Sequence, residues 1–386
     1  MLNGKEYIFS DNEKAIAITS MVKVNDQIWC GLTGDSKALV SFDINEKCFK
    51  DNVKVFPWVE ERPQRVLSKI HNALCKLDDG RLVIGEGILF TWNGIPFEAT
   101  SDANMELVNN RMTEEGLPLK ENEDVGPTDL ASFDMRSLDG GKILIYSPET
   151  DNIEHIAQIQ RFNYVQSMIV DTKRMMAYGH TIGGRHFFTV DLINKKFEDH
   201  GPISAFAFHN LVIAPSGIVY GGWIDLCKSD TQNLRLLRFD PAKGFLERLP
   251  IVLLDDVGPT VQGNTGIDQW LVHSSGDIYV GMVGDGCLYK FDEDELTLEE
   301  IGPAGPGGRV TSLDEDEKGR IIFSGGFPKM HIGRYDPVSN ELEDLGPITD
   351  KFDHIYFHGS VYDDGVLYVG ETDSGVASLW EIKLPE

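Results

Sequence analysis

The sequence predicts an all-β fold built from one repeated unit, and the first observation is a polar position that recurs along the chain. In each repeat this residue stands about a dozen positions before a glycine that closes an apolar strand. The seven positions are Thr19, His71, Gln166, His209, Gln269, Ser312 and His358, and the glycines are Gly31, Gly85, Gly179, Gly221, Gly281, Gly325 and Gly370. Six or seven copies of a small β unit are typical of a β-propeller, in which the first strand of every blade lines a central channel.

A second landmark marks the end of the third strand of each unit. It falls at Asp43, Ser147, Asp191, Asp240, Asp292 and Asp336. After the first interval the spacing is roughly 45 to 50 residues, as expected for one four-stranded blade. The template is the run VTSLDEDEKGRIIFSGG followed by HIGRYDPVSNELEDLGPI, within 310–348, which contains four apolar strands separated by turn residues.

The two ends of the chain predict how the ring closes. The last unit stops at LWEIKLPE after three strands, and GKEYIFS near the beginning is a strand without a unit of its own. Pairing of Tyr7–Phe9 with Trp380–Ile382 would complete the last blade and remove two exposed sheet edges. We therefore predict a seven-bladed β-propeller with N-/C-terminal strand closure, formed by residues 1–386 as a single domain.

The long first interval predicts an insertion. It holds one pair of strands, 71–87, and then about fifty residues, 88–138, in which the repeat pattern is absent. Insertions of this length inside a compact domain are usually functional or mobile. We place this segment between the second and third strands of blade 2 and expect it to cover the channel face.

Charge and composition restrict the class of partner and the compartment. The net charge is −27, and the chain has no cluster of Lys and Arg, which argues against nucleic acid and anionic membranes as partners. The N-terminal residues lack the pattern of an export signal, and no stretch approaches the 18 apolar residues of a membrane span. The five cysteines show no CxxC spacing, as expected of thiols in a reducing compartment. We expect a cytoplasmic protein.

Candidate functional residues concentrate on one face of the predicted propeller. The loops that enter the first strand and those that follow the second strand emerge on the same side. The candidates are His71, Gln166, His209, Gln269 and His358 on the channel, His180, Arg185 and Trp223 after the second strands, and Arg65, Arg161 and Tyr164 before the first strands. In a chain this acidic, basic side chains around one funnel predict a site for an anion.

The histidines allow more than one interpretation. A histidine at the start of an inner strand can tie a turn by hydrogen bonds, and imidazole also suits a divalent cation such as Zn, Mn or Fe. Joint ligation by His71, His209 and His358 is disfavoured here because they belong to blades 2, 4 and 7, far apart round the ring. A divalent cation at the channel mouth stays open as a cofactor, and the sequence assigns no ligand to it.

Motifs of several enzyme classes are absent from the sequence. It contains no serine nucleophile elbow, Walker loop, HExxH or EF-hand loop. Two carboxylates, Glu86 and Glu371, occupy equivalent places directly after Gly85 and Gly370. Hydrolysis by these two residues is therefore kept as a third alternative.

The repeated motifs resemble those of a known group of enzymes. DGRLVIGEG, GGKILIY and YDPVSNELEDLGPI, with His-Asn at the start of inner strands, are similar to the seven-bladed propeller polysaccharide lyases, which include oligogalacturonate lyase, ulvan lyase and rhamnosyl-glucuronate lyase. The resemblance implies β-elimination on a uronate. That reaction needs a base for the C5 proton, a positive group on the carboxylate, and an acid for the leaving oxygen.

These roles can be assigned to residues of this chain. The catalytic assignment is His209 or His180 as base or acid, Arg185 or Arg161 on the carboxylate, and Tyr164 in the proton relay. The substrate-binding residues are His71, Arg161, Gln166, Trp223, Gln269, His358 and Arg65. The sequence thus predicts a carbon-oxygen lyase acting on an anionic, uronate-containing oligosaccharide in the central funnel. The alternative from another class is a non-catalytic glycan-binding or protein-interaction propeller.

Overall fold

The computed structural model describes residues 1–10, 15–34, 36–61, 66–92, 95–96, 139–182, 185–203, 209, 211–224, 233–254, 266–303, 305–326, 329–351, 356–372 and 376–386. Within these ranges the regular structure is antiparallel β-strand, apart from one 3₁₀ helix at Pro57–Glu61. The prediction of an all-β protein is confirmed. Arg65 and residues 97–138, the larger part of the predicted insertion, lie outside the described residues. In the part described, no helix is long and apolar enough to cross a membrane.

The strands of the first part of the chain form two four-stranded units and a smaller hairpin. The chain begins with β1 (Lys5–Ile8). Unit 1 contains β2 (Ala17–Val24), β3 (Gln27–Gly34), β4 (Leu39–Asp43) and β5 (Cys48–Val53), and β6 (Val66–Lys69) follows the 3₁₀ helix. Unit 2 contains β7 (Leu74–Lys76), β8 (Leu82–Gly85), β11 (Lys142–Ser147) and β12 (Asn152–Gln158), with β9 (Gly87–Trp92) and β10 (Ile95–Pro96) between its second and third strands.

The remaining strands form the other units in chain order. Unit 3 contains β13 (Tyr164–Asp171), β14 (Met176–Ile182), β15 (His186–Asp191) and β16 (Lys196–Pro202). Unit 4 contains β17 (Leu211–Ile213), β18 (Val219–Ile224), β19 (Leu234–Asp240) and β20 (Phe245–Leu254). Unit 5 contains β21 (Gly266–Val272), β22 (Ile278–Gly284), β23 (Cys287–Asp292) and β24 (Thr297–Pro303). Unit 6 contains β25 (Gly308–Glu315), β26 (Ile321–Gly325), β27 (His331–Asp336) and β28 (Glu341–Pro347). Unit 7 contains β29 (Phe357–Asp363), β30 (Val366–Glu371), β31 (Ser378–Lys383) and β1.

The units are arranged in a closed circle. The first strand of each unit contacts the first strand of the next, and β29 of unit 7 contacts β2 of unit 1. Buried apolar side chains fill the space between neighbouring units all the way round. Tyr279 and Tyr335, for example, join units 5 and 6 with ring centroids 6.0 Å apart. The core is therefore a series of layers between sheets, as in a β-propeller.

The N-terminal strand completes the last unit. β1 pairs antiparallel with β31, with Lys5 opposite Glu381 and Ile8 opposite Ser378. The hydroxyl of Tyr7 also donates a hydrogen bond to Glu381 Oε2 at 2.7 Å. The pairing that the sequence predicted between the two ends of the chain is present, and it covers the edge of β31 with β1 as the outermost strand of unit 7.

The glycines that mark the repeat are explained by contact between units. A Cβ atom added to Gly281 would lie 2.6 Å from Val310 Cγ1, at the start of the next unit. Gly370 meets Ile18 of the following unit in the same way, at 2.5 Å. Only glycine allows the inner strand of one unit to approach the second strand of its neighbour this closely.

The aspartate landmark is explained by turn chemistry. The Asp292 carboxylate accepts hydrogen bonds from the backbone N–H groups of Asp294 and Glu295, and Asp191 and Asp336 cap equivalent turns. Side-chain carboxylates that bind the backbone two and three residues on stabilise such turns.

The first strand of the predicted insertion pairs with the sheet of unit 1 and not with that of unit 2. β9, which follows β8 of unit 2, pairs with β6, and β6 in turn pairs with β3 of unit 1. β10 folds back on β9. The start of the insertion therefore extends the sheet of unit 1, and Gly87, directly before it, pairs with Lys69, the last residue of β6.

Candidate functional site

Three histidines from three different units meet near the axis of the circle. The Nε2 atoms of His71 and His209 are 3.0 Å apart, and the ring centroids of His209 and His358 are 4.8 Å apart. One ring nitrogen from each of the three lies within 4.8 Å of the others. His71 and His209 are buried, whereas His358 is partly exposed. We call these three residues the histidine cluster.

The expectation that these histidines are too far apart for joint ligation is wrong. The reason is the geometry of the circle, in which the inner strands approach one another closely around a common axis. Side chains that start on units 2, 4 and 7 can therefore touch across the axis. Two units can be separated along the ring and still place side chains of their inner strands close together at the axis.

An ion pair supports the cluster from one side. Asp268 on β21 accepts hydrogen bonds from Arg309 Nε at 2.6 Å and Nη2 at 2.9 Å, and its Oδ1 lies 2.7 Å from His209 Nδ1. Asp268 is fully buried and Arg309 nearly so. The guanidinium of Arg309 lies 5.2 Å from the centre of the Tyr356 ring, a cation–π distance.

Electrostatics keep the cluster uncharged and Asp268 ionised. Burial would raise the pKa of Asp268, but the adjacent Arg309 and His209 outweigh it and hold that pKa well below its usual value. Burial lowers the pKa of His71, His209 and His358, and the positive charge of Lys69 acts in the same direction on all three. At neutral pH the cluster is therefore three neutral imidazoles with lone pairs to offer.

In unit 5 the residue that the sequence predicted to face the axis, Gln269, is one position away from the residue that does, Asp268. Counting back from Gly281 selected Gln269, but the β-bulge residue of unit 5, equivalent to Thr19 of unit 1, is Asp268. The strands of unit 1 are joined by the two-residue turn 25–26, whereas those of unit 5 are joined by the longer turn 273–277. Because side chains alternate along a strand, a shift of one residue selects the opposite face. Comparing the turns could have revealed the shift.

The remaining ring and rim candidates lie in varied surroundings. Gln166 contributes its backbone carbonyl, which is 3.0 Å from His71 Nδ1, and Gln269 is partly exposed beside Asp268. Trp223 is partly buried, with the Arg235 guanidinium 5.9 Å from its ring. Arg161 is exposed, 5.7 Å from the Phe162 ring.

The predicted acid–base residues of unit 3 lie inside the sheet. His180 is fully buried on β14, opposite Ser167 and Phe187. Tyr164 is also buried, and its ring would meet a Cβ added to Gly141 at 3.2 Å. Arg185 has a left-handed backbone with φ of 54°, and burial lowers the pKa of its guanidinium. Neither His180 nor any other described histidine joins the cluster formed by His71, His209 and His358.

The two equivalent carboxylates are bound by the same kinds of donor. Glu86 accepts hydrogen bonds from the Trp58 indole at 2.9 Å and from Ser68 at 3.3 Å. Glu371 accepts them from the Trp380 indole at 3.0 Å and from Ser378 at 2.8 Å. Both carboxylates are fully buried, so their geometry indicates a tether that holds strands together.

The donor set at the axis fits a divalent cation. Three imidazoles are suitable ligands for Zn and similar ions. The buried Nδ1 atom of His358 has no hydrogen-bond partner among the described residues, and this nitrogen could bind a cation. The same neutral imidazoles could take up a proton, and the arrangement therefore supports either cation binding or acid–base chemistry.

The closed circle of antiparallel sheets places the protein among propeller-like all-β proteins. Neither a protein-family model nor a curated protein sequence matches the chain. Among solved structures, it is similar to virginiamycin B lyase from Staphylococcus aureus, with a TM-score of 0.61, 10% identity and coverage of 100% of both chains. A catalytically inactive form of that lyase with quinupristin gives a TM-score of 0.62 at 10% identity, again over 100% of both chains.

A third similar structure comes from a signalling protein. The extracellular domain of a hybrid two-component system from B. thetaiotaomicron gives a TM-score of 0.58 at 13% identity, over 98% of this chain and 39% of that one. At these identities the similarity shows the fold alone. The structure neighbours thus include a lyase built on a propeller as well as a domain of a sensory system.

Proposed function

We propose that the protein is a seven-bladed β-propeller lyase, a cytoplasmic enzyme that cleaves a carbon–oxygen bond of a uronate-containing oligosaccharide by β-elimination. The observation that carries the proposal is the histidine cluster at the axis, with the positive charge of Lys69 beside it. The seven four-stranded units within the described residues support the blade number. Virginiamycin B lyase shows that a fold of this kind can carry lyase chemistry.

The charge distribution supports an anionic substrate. β-Elimination next to a carboxylate needs positive groups that stabilise the enolate-like state. Lys69 is close enough to the three imidazoles to lower the pKa of each, although the whole chain carries a net charge of −27. A local positive field in an acidic protein favours an anion over a neutral sugar.

The residues that would hold a divalent cation are His71, His209 and His358. Bound there, the cation would supply Lewis-acid neutralisation of the substrate carboxylate. A histidine that ligates a cation cannot also take a proton from the substrate. His209 can therefore serve as the base only when no cation is bound. With a cation bound, the base would have to come from outside the histidine cluster, and the residues that the sequence predicted for this role, His180 and Tyr164, are buried within unit 3.

The test is an elimination assay on uronic oligosaccharides. The conjugated double bond of the product absorbs ultraviolet light, and we expect this absorbance to appear on mixing with the protein. His209→Ala or His180→Ala should lower turnover by about 10² to 10⁴-fold, the usual contribution of a general acid or base. His186→Ala is the matched control, because His186 pairs with Asp199 outside the cluster.

The outcomes separate the candidate functions. Loss of turnover both on chelation and in His180→Ala would assign the scheme in which the cluster holds a cation. Loss of turnover in His209→Ala, with no effect of chelation, would assign the scheme in which His209 is the base and no cation is bound. New reducing ends without absorbance would show a hydrolase. Binding of an oligosaccharide without any product would show the glycan-binding alternative. Either the hydrolase result or the binding-only result would overturn the lyase proposal.

A further inference from the structure

The acceptor oxygens beside His71 and His209 indicate which ring nitrogen of each carries the proton. His71 Nδ1 lies 3.0 Å from the Gln166 carbonyl oxygen, which can only accept. His209 Nδ1 lies 2.7 Å from Asp268 Oδ1, and an ionised carboxylate also only accepts. In the neutral rings Nδ1 therefore carries the hydrogen in both residues. The Nε2 atom of each ring is left with a lone pair.

These two lone pairs face each other. The Nε2 atoms of His71 and His209 are 3.0 Å apart, and when both neutral rings carry their hydrogen on Nδ1 neither can donate to the other. Two acceptors at this distance repel unless a positive group lies between them. Two nitrogens bound to one tetrahedral Zn²⁺ at 2.0–2.1 Å would be roughly 3.3 Å apart. The observed separation is close to that spacing.

Arg309 explains why Asp268 can serve as a permanent acceptor. A lone carboxylate at a fully buried position would tend to take up a proton. The two hydrogen bonds from Arg309 compensate its charge and fix the carboxylate plane, so that Oδ1 is directed at His209. The Asp268–Arg309 pair is neutral as a whole. A cation held by the histidine cluster would therefore keep its full charge for an anionic ligand.

From this geometry we infer that Asp268 is a positioning residue, which fixes the tautomer and orientation of His209 and thereby makes the histidine cluster a site for a divalent cation of the Zn²⁺ or Co²⁺ type. The Gln166 carbonyl does the same for His71. Acceptors of this kind behind ligating histidines raise ligand basicity, and their loss typically lowers metal affinity 10- to 100-fold. The inference deepens the proposed function, since it names the cofactor class of the same site.

The experiment compares Asp268→Asn with Asp199→Asn in the full chain. Asp199 accepts from His186 at 2.9 Å in a similar carboxylate–histidine pair away from the cluster, so it is the matched control. Zn²⁺ affinity is measured by calorimetry, and the visible absorption of bound Co²⁺ reports tetrahedral histidine ligation. We expect Asp268→Asn to lose 10- to 100-fold in affinity and Asp199→Asn to match the wild type.

A second readout needs no metal, and its first measurement needs no variant. Long-range ¹H–¹⁵N NMR of the metal-free wild-type protein identifies the protonated nitrogen of each imidazole, and we expect Nδ1–H for His71 and His209. Asp268→Asn should populate the other tautomer of His209, which a purely structural role of Asp268 would not require. This measurement holds even if Asp268→Asn does not fold.

Three results would overturn the inference. They are Nε2–H for His209 in the wild-type protein, the same Zn²⁺ affinity in Asp268→Asn as in the wild type, and no binding of Zn²⁺ or Co²⁺ by the wild type at all. Failure of the lyase proposal looks different. A protein that binds Zn²⁺ with the expected tautomers but forms no unsaturated product would retain the cation site and lose the assigned reaction.

Discussion

The Nε2 atom of His71 lies 3.0 Å from the Nε2 atom of His209, although 138 positions separate the two residues in the chain. His71 precedes the first strand of unit 2, and His209 precedes the first strand of unit 4. The contact therefore skips the intervening unit and exists only because the inner strands surround one axis. It brings two buried histidines of non-adjacent units together at the centre of the circle.

This contact predicts an acid-sensitive fold. Burial lowers the pKa of His71 and His209, so the folded protein binds fewer protons than the unfolded chain below pH 6.5. Their contribution to stability is complete above that pH and falls as the pH drops, by at most about 1.4 kcal/mol per pH unit for each histidine. Urea unfolding of the metal-free protein between pH 7.5 and pH 5 should show this loss, and His71→Gln should reduce its slope. An unchanged slope in the variant would contradict the expectation.

Asp314 should show the opposite pH dependence. Burial raises its pKa to about 6, against the hydrogen bonds that it accepts from Ser360 and from the Tyr362 N–H. The folded state therefore favours the protonated acid, and the unfavourable contribution grows as the pH rises through 6, reaching at most about 3 kcal/mol. Asp314→Asn should match the wild type near pH 4 and exceed it in stability at pH 8.

Asp277→Asn is the control for that measurement. Lys290 lowers the pKa of Asp277 through a hydrogen bond, so its carboxylate stabilises the folded protein above pH 4. The variant should therefore lose stability at pH 8, by up to about 1 kcal/mol for an exposed pair. If both variants respond to pH in the same direction, the assignment of the Asp314 shift to burial is wrong.

Gly281 should be sensitive to the addition of a single methyl group. A Cβ at this position would meet Val310 of the next unit at 2.6 Å. Gly281→Ala should therefore destabilise the protein by about 1 to 3 kcal/mol, as overpacking of a core does. The double variant Gly281→Ala with Val310→Ala should recover part of this loss relative to the sum of the single changes. Strict additivity in thermal melts would show that the two residues are not in contact.

Glu371 should matter for stability and not for chemistry. Its buried carboxylate accepts from the Trp380 indole and from Ser378, and Glu371→Gln would set an amide N–H₂ group against these donors. Loss of buried hydrogen bonds of this type costs about 1 to 3 kcal/mol. We expect a lower melting temperature with unchanged product formation, and no effect from Glu341→Gln, which is exposed. Loss of turnover at full stability would restore the hydrolase alternative.

The terminal strand should contribute a large share of the stability. Removal of residues 1–10 deletes β1, exposes the edge of β31, and removes Leu2 and Phe9 from the core. Since whole domains are stable by about 5 to 15 kcal/mol, a strand of this kind is a substantial fraction. The melting temperature should fall strongly, whereas Tyr7→Phe, which removes only the hydrogen bond to Glu381, should lower it slightly. Equal melting temperatures for the deletion and the full chain would rule out closure by β1.

The sequence alone determined the repeat and the pairing of the chain ends. Gly281 and Gly370 are required because a neighbouring strand passes too close for a side chain, and Asp191 and Asp292 are required because each caps a turn. Each of these requirements is satisfied by one residue type at one position. When the same local requirement recurs in every unit, the same residue type recurs in the sequence, and this repeat can be recognised without knowing the fold.

Only the tertiary structure decided which polar residues meet in the candidate site. The identity of Asp268 depends on the connection 273–277, because the bulge residue lies 13 positions before Gly281 in unit 5 but 12 positions before Gly31 in unit 1. A shift of one residue brings the opposite face of the strand to the axis. The meeting of His71, His209 and His358 depends on closure of the circle, which brings inner strands from non-adjacent units within reach of one another. Register and closure are properties of the assembled sheets, so no single stretch of the sequence contains them.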